Sequence, residues 1–255
     1  MLYFKHEKGV MEVDSENAYF MTDFPHLMCD LYLSQMHSSE VNAINYLKDS
    51  FSGKTEGKVF VDIGAHVGTY TFTLGQMFDK CFAFEPDVHT YNILCANLAL
   101  HNMSYKCKAF NVAIADSEKD IIYKKMDKQG GNNYCINQNE KDRLESFYYY
   151  VENTEEVKLT AIPLDMLQIQ NIGLMKIDVE GFELEVLKGA EQTLINNNYP
   201  PIVIESWDVD ENFTNERNKV ILELKDELFT YLRSLNYLIT PLDETCALYY
   251  CEHTF

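Results

Sequence analysis

The stretch KVFVDIGAHVGTYTFTLGQ, beginning at Lys58, constrains this chain more than any other. Val59, Phe60, Val61 and Ile63 form an apolar run of the kind seen in a parallel strand covered on both faces. The strand is read as ending on Asp62, with Gly64 and Gly68 placed before a helix. Gly64 admits backbone angles that other residues avoid, and Gly68 lets a ligand or a neighbouring strand approach without a Cβ in the way. A strand, a tight turn and a helix in this order predict a bound ligand.

The alternation continues along the chain. KCFAFEP, from Lys80, reads as a second buried strand stopping at Glu85-Pro86, and Tyr91, Leu94, Cys95 and Leu98 share one helical face. KAFNVAIA from Lys108, GLMKIDVEG from Gly173 and PIVIESWD from Pro201 read as the third, fourth and fifth strands. A long helix with Val220, Leu224, Leu228, Tyr231 and Leu235 inward follows, and YLIT and TCALYYCE close the chain. Strands alternating with helices imply a parallel sheet with right-handed crossovers, and two consecutive final strands imply an antiparallel finish.

Residues 27–47 read as one or two helices, so residues 1–57 are expected to form a helical segment packed on a main domain at 58–255. The segment from Asp116 to Lys158 breaks the alternation, being polar, with Gly130-Gly131 and the aromatic run Phe147–Tyr150. It is expected to be an insertion with hairpins that supplies acceptor contacts. LTAIPLDML, from Leu159, reads as an extra edge strand and turn.

The net charge of −19 works against nucleic acid and anionic membrane surfaces as partners and leaves a neutral or cationic small molecule as the easy ligand. The seven cysteines form no C-x-x-C pair, so reduced core thiols and a cytoplasmic location are expected. The first twenty residues lack the apolar segment of a leader, and no apolar stretch approaches the ~18 residues of a membrane span.

In open α/β sheets ligands bind beyond the carboxyl ends of the strands, where strand order reverses. Asp62, Glu85 and Asp178 should face that crevice, with Glu205 as a fourth acid. The turn lacks the G-x-G-x-x-G spacing of a dinucleotide site, which sets a nicotinamide-dependent oxidoreductase behind other readings. An acid ending the second strand still suits a ribose diol, because a carboxylate accepts from both hydroxyls.

VDIGAHVGTYT, FAFEP, NVAIAD and LMKIDVEGFELEVLKGAEQTL together resemble the ordered motifs of the FkbM-type methyltransferases, within the class I S-adenosylmethionine-dependent group. The resemblance covers roughly Val59 to Ser206, and its most specific block is Lys176 to Ala190. It implies an α/β, doubly wound, mostly parallel seven-stranded sheet with an antiparallel last strand. It also implies S-adenosyl-L-methionine against Asp62, Gly64, Ala65, His66, Gly68 and Tyr70, with Glu85, followed by Pro86, on the ribose. Backbone at Ala113 and Ile114 would line the adenine. The implied activity is O-methylation, often of a sugar or glycan hydroxyl. A non-catalytic binding module on the same fold is the further alternative.

An alcohol acceptor needs its proton removed or oriented by a carboxylate or histidine within reach. Asp178 is the candidate, with Glu180 and Glu205 as neighbours. The competing reading makes Asp178 and Glu205 ligands of a divalent cation; two acids alone do not establish a metal site, so the direct role is preferred. Where a D-P-P-Y type tetrad would recognise exocyclic amines of bases, this chain has D-V-E-G.

Overall fold

The computed structural model describes residues 2–6, 9–13, 20–21, 38–126, 134–136, 154–210, 213–242 and 247–254. Ahead of the main domain, β1 (Leu2–His6), β2 (Gly9–Val13) and β3 (Phe20–Met21) form an antiparallel sheet in the order β1-β2-β3. This corrects the expectation of a purely helical 1–57 segment. The early residues LYFKH and GVMEV are rich in strand-favouring types and lack a helical period, so pairing supplies their backbone hydrogen bonds. Helix α1 (Ser38–Phe51) follows and buries Ala43, Ile44 and Leu47 against Phe60 and Phe78.

Strand β4 (Val59–Ile63) leads through the glycine turn into α2 (Thr69–Thr73), and β5 (Lys80–Phe84) leads into α3 (Val88–Leu100). The expected third strand splits into β6 (Cys107–Phe110) and β7 (Ala113–Ile114). Asn111 causes the break: its Nδ2 donates to the carbonyls of Glu85 and Pro86 at 2.9 and 2.8 Å, turning the chain away from the sheet.

β7 joins a second sheet with β8 (Lys119–Met126), β9 (Tyr134–Ile136) and β10 (Thr154–Ile162), in the order β7-β10-β8-β9. β8 pairs antiparallel with β10 from Lys119↔Ala161 to Met126↔Thr154 and with the next strand, β9, from Ile122↔Ile136 to Lys124↔Tyr134, so the insertion does contain a hairpin. Its boundary at Lys158 was misplaced, because β10 runs through it. The polarity of EVKLTA is the solvent face of a half-buried strand, with Glu156, Lys158 and Thr160 exposed between more buried neighbours. The aromatic run Phe147–Tyr150 lies outside the described residues.

The chain then returns through β11 (Ile172–Ile177), α4 (Glu183–Lys188), α5 (Glu191–Asn196), β12 (Ile202–Glu205), α6 (Asn215–Ser234), β13 (Tyr237–Pro241) and β14 (Leu248–His253). The seven-stranded sheet has the order β13-β14-β12-β11-β4-β5-β6, with β14 antiparallel to both neighbours. Alternate residues of β4 feed two cores. Val59, Val61 and Ile63 pack with α4, α5 and α6, while Phe60 packs with α1, α2 and α3. Both faces are therefore covered, as the apolar run requires. From β4 the chain steps outward to β5 and β6 and then crosses back to β11, so the crevice at the carboxyl ends of β4 and β11 is the topological switch point.

Candidate functional site

The glycine turn is fixed by close backbone approach. Gly64 has φ +75°, and a Cβ there would lie 1.7 Å from the Asp178 carbonyl oxygen. Gly64 N and Ala65 N both donate to the Phe84 carbonyl at 3.0 and 2.9 Å, and Asp178 N donates to the Ile63 carbonyl at 3.1 Å. The ends of β5, β4 and β11 are thus stitched together at this one residue. Gly68, at φ +100°, starts α2 in the left-handed region, and Asn97 Nδ2 secures the preceding Val67 carbonyl at 2.8 Å.

Glu85 sits just past β5 and is 5% exposed. Its two oxygens accept from His66 N at 3.0 Å and Asp87 N at 2.9 Å, which anchors the turn to the start of α3. Burial pushes its carboxyl up to about 7, against the pull of those two N–H groups. Pro86 lies between Glu85 and Asp87, the residue that caps α3 by accepting from Thr90 N at 3.0 Å.

Asp62 does not face the open crevice, as the sequence reading expected, but is fully buried one residue before the end of β4. Its Oδ2 accepts from Thr71 Oγ1 at 2.6 Å, and its Oδ1 lies 3.7 Å from Lys176 Nζ. The reason is register: Asp62 pairs with Lys176 across β4 and β11, so both side chains project from one face of the sheet, under α2. Lys176 Nζ also lies 3.1 Å from Asp178 Oδ2, donates to the Gly64 carbonyl at 2.9 Å and sits 5.1 Å from the centroid of the buried Tyr70 ring. Burial works against this ammonium, but Asp178 and Asp62 outweigh it and raise its pKa above the ordinary lysine value.

Beyond Lys176 the structure brings the three candidate acids together. Asp178 follows β11, Glu205 ends the adjacent β12, and Glu180 reaches them from the D-V-E-G turn with φ +55°. One ligand atom from each lies within 4.8 Å of the others. Burial, then the neighbouring Asp178 charge, holds the carboxyls of Glu180 and Glu205 well above the usual range. Glu183 has a different task. Its Oε1 accepts from Val179 N at 3.0 Å and Gly181 N at 3.2 Å, satisfying donors at the start of α4.

Glu205 also lines a cleft, open to solvent, between α4 and α6, with Gly181, Trp207, Ile221, Leu224 and Lys225. Lys225 bonds to Asp208 and Tyr249, and Tyr249 Oη donates to Asp208 Oδ2 at 3.0 Å. Trp207, Thr71 and the Lys225 network were not picked out from the sequence. Only the position of Trp207, two residues past the acidic strand end Glu205, could have signalled its place.

Ala113 and Ile114 lie two and three residues past Asn111, the side chain that grips Glu85 and Pro86. Their backbones pair with Ala161 and Ile162, and both side chains are buried. The residues around the turn fit a nucleoside that carries positive charge. Gly64 keeps side-chain atoms out of the turn, Glu85 retains lone pairs beyond its two backbone bonds, and the acids beside Lys176 favour a cation.

A family profile described as the methyltransferase FkbM domain matches residues 62–239. The chain is 28% identical over 178 residues to "Methyltransferase sdnD" of Sordaria araneosa, covering 58% of this chain and 66% of that protein. It is 24% identical over 181 residues to "Methyltransferase 1" of Beauveria bassiana, covering 65% of this chain and 70% of that one. The matches thus span about two thirds of the length of these relatives. The crystal structure of methyltransferase FkbM from Methylobacillus flagellatus shares the fold at a TM-score of 0.51 and 15% identity, covering 89% of this chain and 59% of that chain. The profile match begins at the aspartate that sets the glycine turn and ends inside β13, taking in most of the sequence, and on that match the chain belongs to the FkbM methyltransferase family.

Proposed function

We propose that the protein is an S-adenosylmethionine-dependent O-methyltransferase, that residues 58–255 form its catalytic domain, and that its acceptor is a hydroxyl of a small molecule of the sugar or glycan class. One observation carries this reading: Lys176 links the Gly64 carbonyl of the cofactor turn directly to Asp178 at the acid cluster. The cofactor supplies a methyl group already activated on a sulfonium, so the protein has to align donor and acceptor and exclude water. Gly64, Ala65, His66, Gly68 and Tyr70 form the cofactor wall, Glu85 accepts from the ribose hydroxyls beside Pro86, and Ala113 and Ile114 flank the adenine. Asp62 acts through Lys176 and Thr71 as a positioning residue. Asp178 orients the acceptor hydroxyl or takes its proton, with Glu180 and Glu205 beside it. The Trp207 cleft receives the body of the acceptor.

The acidic charge supports a reading without a nucleic-acid partner, and no described helix is long and apolar enough to cross a membrane. We place the protein in the cytoplasm on the strength of its scattered cysteines, of which Cys81, Cys95, Cys107 and Cys251 are free thiols among the described residues. Incubation with methyl-labelled S-adenosylmethionine and a panel of mono- and oligosaccharides tests the acceptor class. Label on a sugar hydroxyl is expected; label transferred to no hydroxyl of any acceptor contradicts O-methylation.

Glu85→Ala should weaken S-adenosylmethionine binding about ten-fold or more at pH 8, on the ~1.5–3 kcal/mol typical of a charge-assisted hydrogen bond. Wild-type affinity should fall as pH drops through about 7, where Glu85 takes up its proton. Stability runs the other way. The folded carboxyl holds its proton up to about 7 while an ordinary one loses it near 4.5, so the native state binds more protons across that window. Glu85 therefore makes stability fall as pH rises from 4.5 to about 7, and Glu85→Gln should flatten that slope in a denaturant series. Calorimetric affinity that Glu85→Ala leaves unchanged would remove Glu85 from the ribose site.

A further inference from the structure

Asn111 stands one residue past β6 and is exposed, yet its amide is committed to protein. Nδ2 donates to the Glu85 carbonyl at 2.9 Å and to the Pro86 carbonyl at 2.8 Å. Both amide hydrogens are thereby used, and two carbonyl partners leave one orientation for the amide, with its nitrogen inward.

The residue so gripped is the acid assigned to the ribose. Glu85 N donates to the Phe110 carbonyl at 3.0 Å, and the Glu85 carbonyl accepts from Asn111. Its carboxylate oxygens accept from His66 N at 3.0 Å and Asp87 N at 2.9 Å. Every polar group of Glu85 is therefore tied down, while lone pairs remain on the carboxylate. Residues 110 and 111 hold its main chain, whereas the glycine turn and the start of α3 hold its carboxylate. Pro86 brings no N–H of its own to this bend, so its carbonyl is the handle by which the bend is held. A carboxylate that serves two adjacent hydroxyls has to be aligned with both, and such alignment is only as good as the contacts that support it.

We propose that Asn111 is a positioning residue for cofactor binding: by clamping the Glu85–Pro86 backbone it aims the Glu85 carboxylate at the two ribose hydroxyls. This rests on the assignment of Glu85 to the ribose and adds the side chain through which β6 takes part in recognition. A side chain that only turned the chain toward β7 would support every part of the cofactor alike.

Isothermal titration at pH 8 with S-adenosylmethionine, and with its analogue lacking both ribose hydroxyls, separates the two roles. The wild type should prefer the natural cofactor by about ten-fold or more, as a charge-assisted hydrogen bond provides. Asn111→Ala and Asn111→Asp should each cut that preference about three-fold or more and leave affinity for the analogue nearly unchanged. Aspartate keeps the shape but offers the two carbonyls no donor. Because Asn111 is exposed, water takes its place on both carbonyls and the variants should fold. Circular dichroism checks this, and having two variants keeps the test decisive if one does not fold. In a Glu85→Ala background, Asn111→Ala should cost no further preference, because the carboxylate it aims is gone. Equal loss on both ligands, an unchanged preference in both variants, or losses that multiply in the double variant would overturn the role of Asn111. A wild type that binds S-adenosylmethionine without preferring it to the analogue would instead remove Glu85 from the ribose, and the role of Asn111 with it. A wild type that does not bind S-adenosylmethionine would overturn the cofactor reading itself.

Discussion

Lys176→Met is expected to destabilise the fold by about 3–5 kcal/mol, the range for removing one partner of a buried ion pair. Lys176 is 3% exposed and Asp62 is fully buried. Methionine fills similar volume, so the loss reports the stranded carboxylates rather than a cavity. Asp62 would keep its bonds from the Thr71 side chain and backbone but no cation, and the Gly64 carbonyl would lose the Lys176 donor. Burial already raises the Asp62 pKa, and removing the ammonium raises it further. The defect should therefore shrink as pH falls and Asp62 becomes neutral. Adding Asp62→Asn should restore most of the stability, because a neutral pair leaves no uncompensated charge. Urea unfolding of the three variants checks this, and a Lys176→Met loss below about 1 kcal/mol would mean the ion pair is dispensable.

Asp178→Asn should lower turnover by roughly 10²–10⁴-fold, the usual contribution of a positioned general base, while S-adenosylmethionine affinity stays nearly constant. The substitution keeps the shape and the backbone that Gly64 packs against, and removes the charge at the head of the acid cluster. Lys176 lies 3.1 Å from Asp178 Oδ2, so the variant also loosens the link between turn and acids. Separate measurement of kcat and of cofactor affinity distinguishes the two effects. A large loss of cofactor affinity with turnover retained at saturation would assign Asp178 to binding instead.

The sheet was legible because its strands are covered on both faces and so appear as apolar runs, each closed by an acid or a glycine. The adjacency of Asp178 and the glycine turn was legible for the same reason, since strand order alone puts β11 beside β4. Three features were hidden by physical causes. β10 is half-exposed, and its alternating charges looked like a loop. The third strand divides at Asn111, a break made by a side-chain hydrogen bond to Glu85 that carries no pattern in sequence. The N-terminal strands carry strand-favouring residues, but which strands they pair with is set by register, and these short runs do not show it. At the site, the acids were found by position, but the role of Asp62 was not. A strand residue one place from the end looks like a crevice residue until register pairs it with Lys176 beneath α2. Glu180 was placed beside Asp178 from the sequence, and the donors at the start of α4 are met by Glu183 instead.

The central claim is that the Asp62–Gly68 turn and Glu85 hold S-adenosylmethionine. Isothermal titration of the intact protein with S-adenosylmethionine, and in parallel with a nicotinamide dinucleotide, tests it most directly. One site per chain for S-adenosylmethionine, weakened in Glu85→Ala, with no binding of the dinucleotide, is the predicted result. Saturable binding of the dinucleotide with none of S-adenosylmethionine would contradict the account.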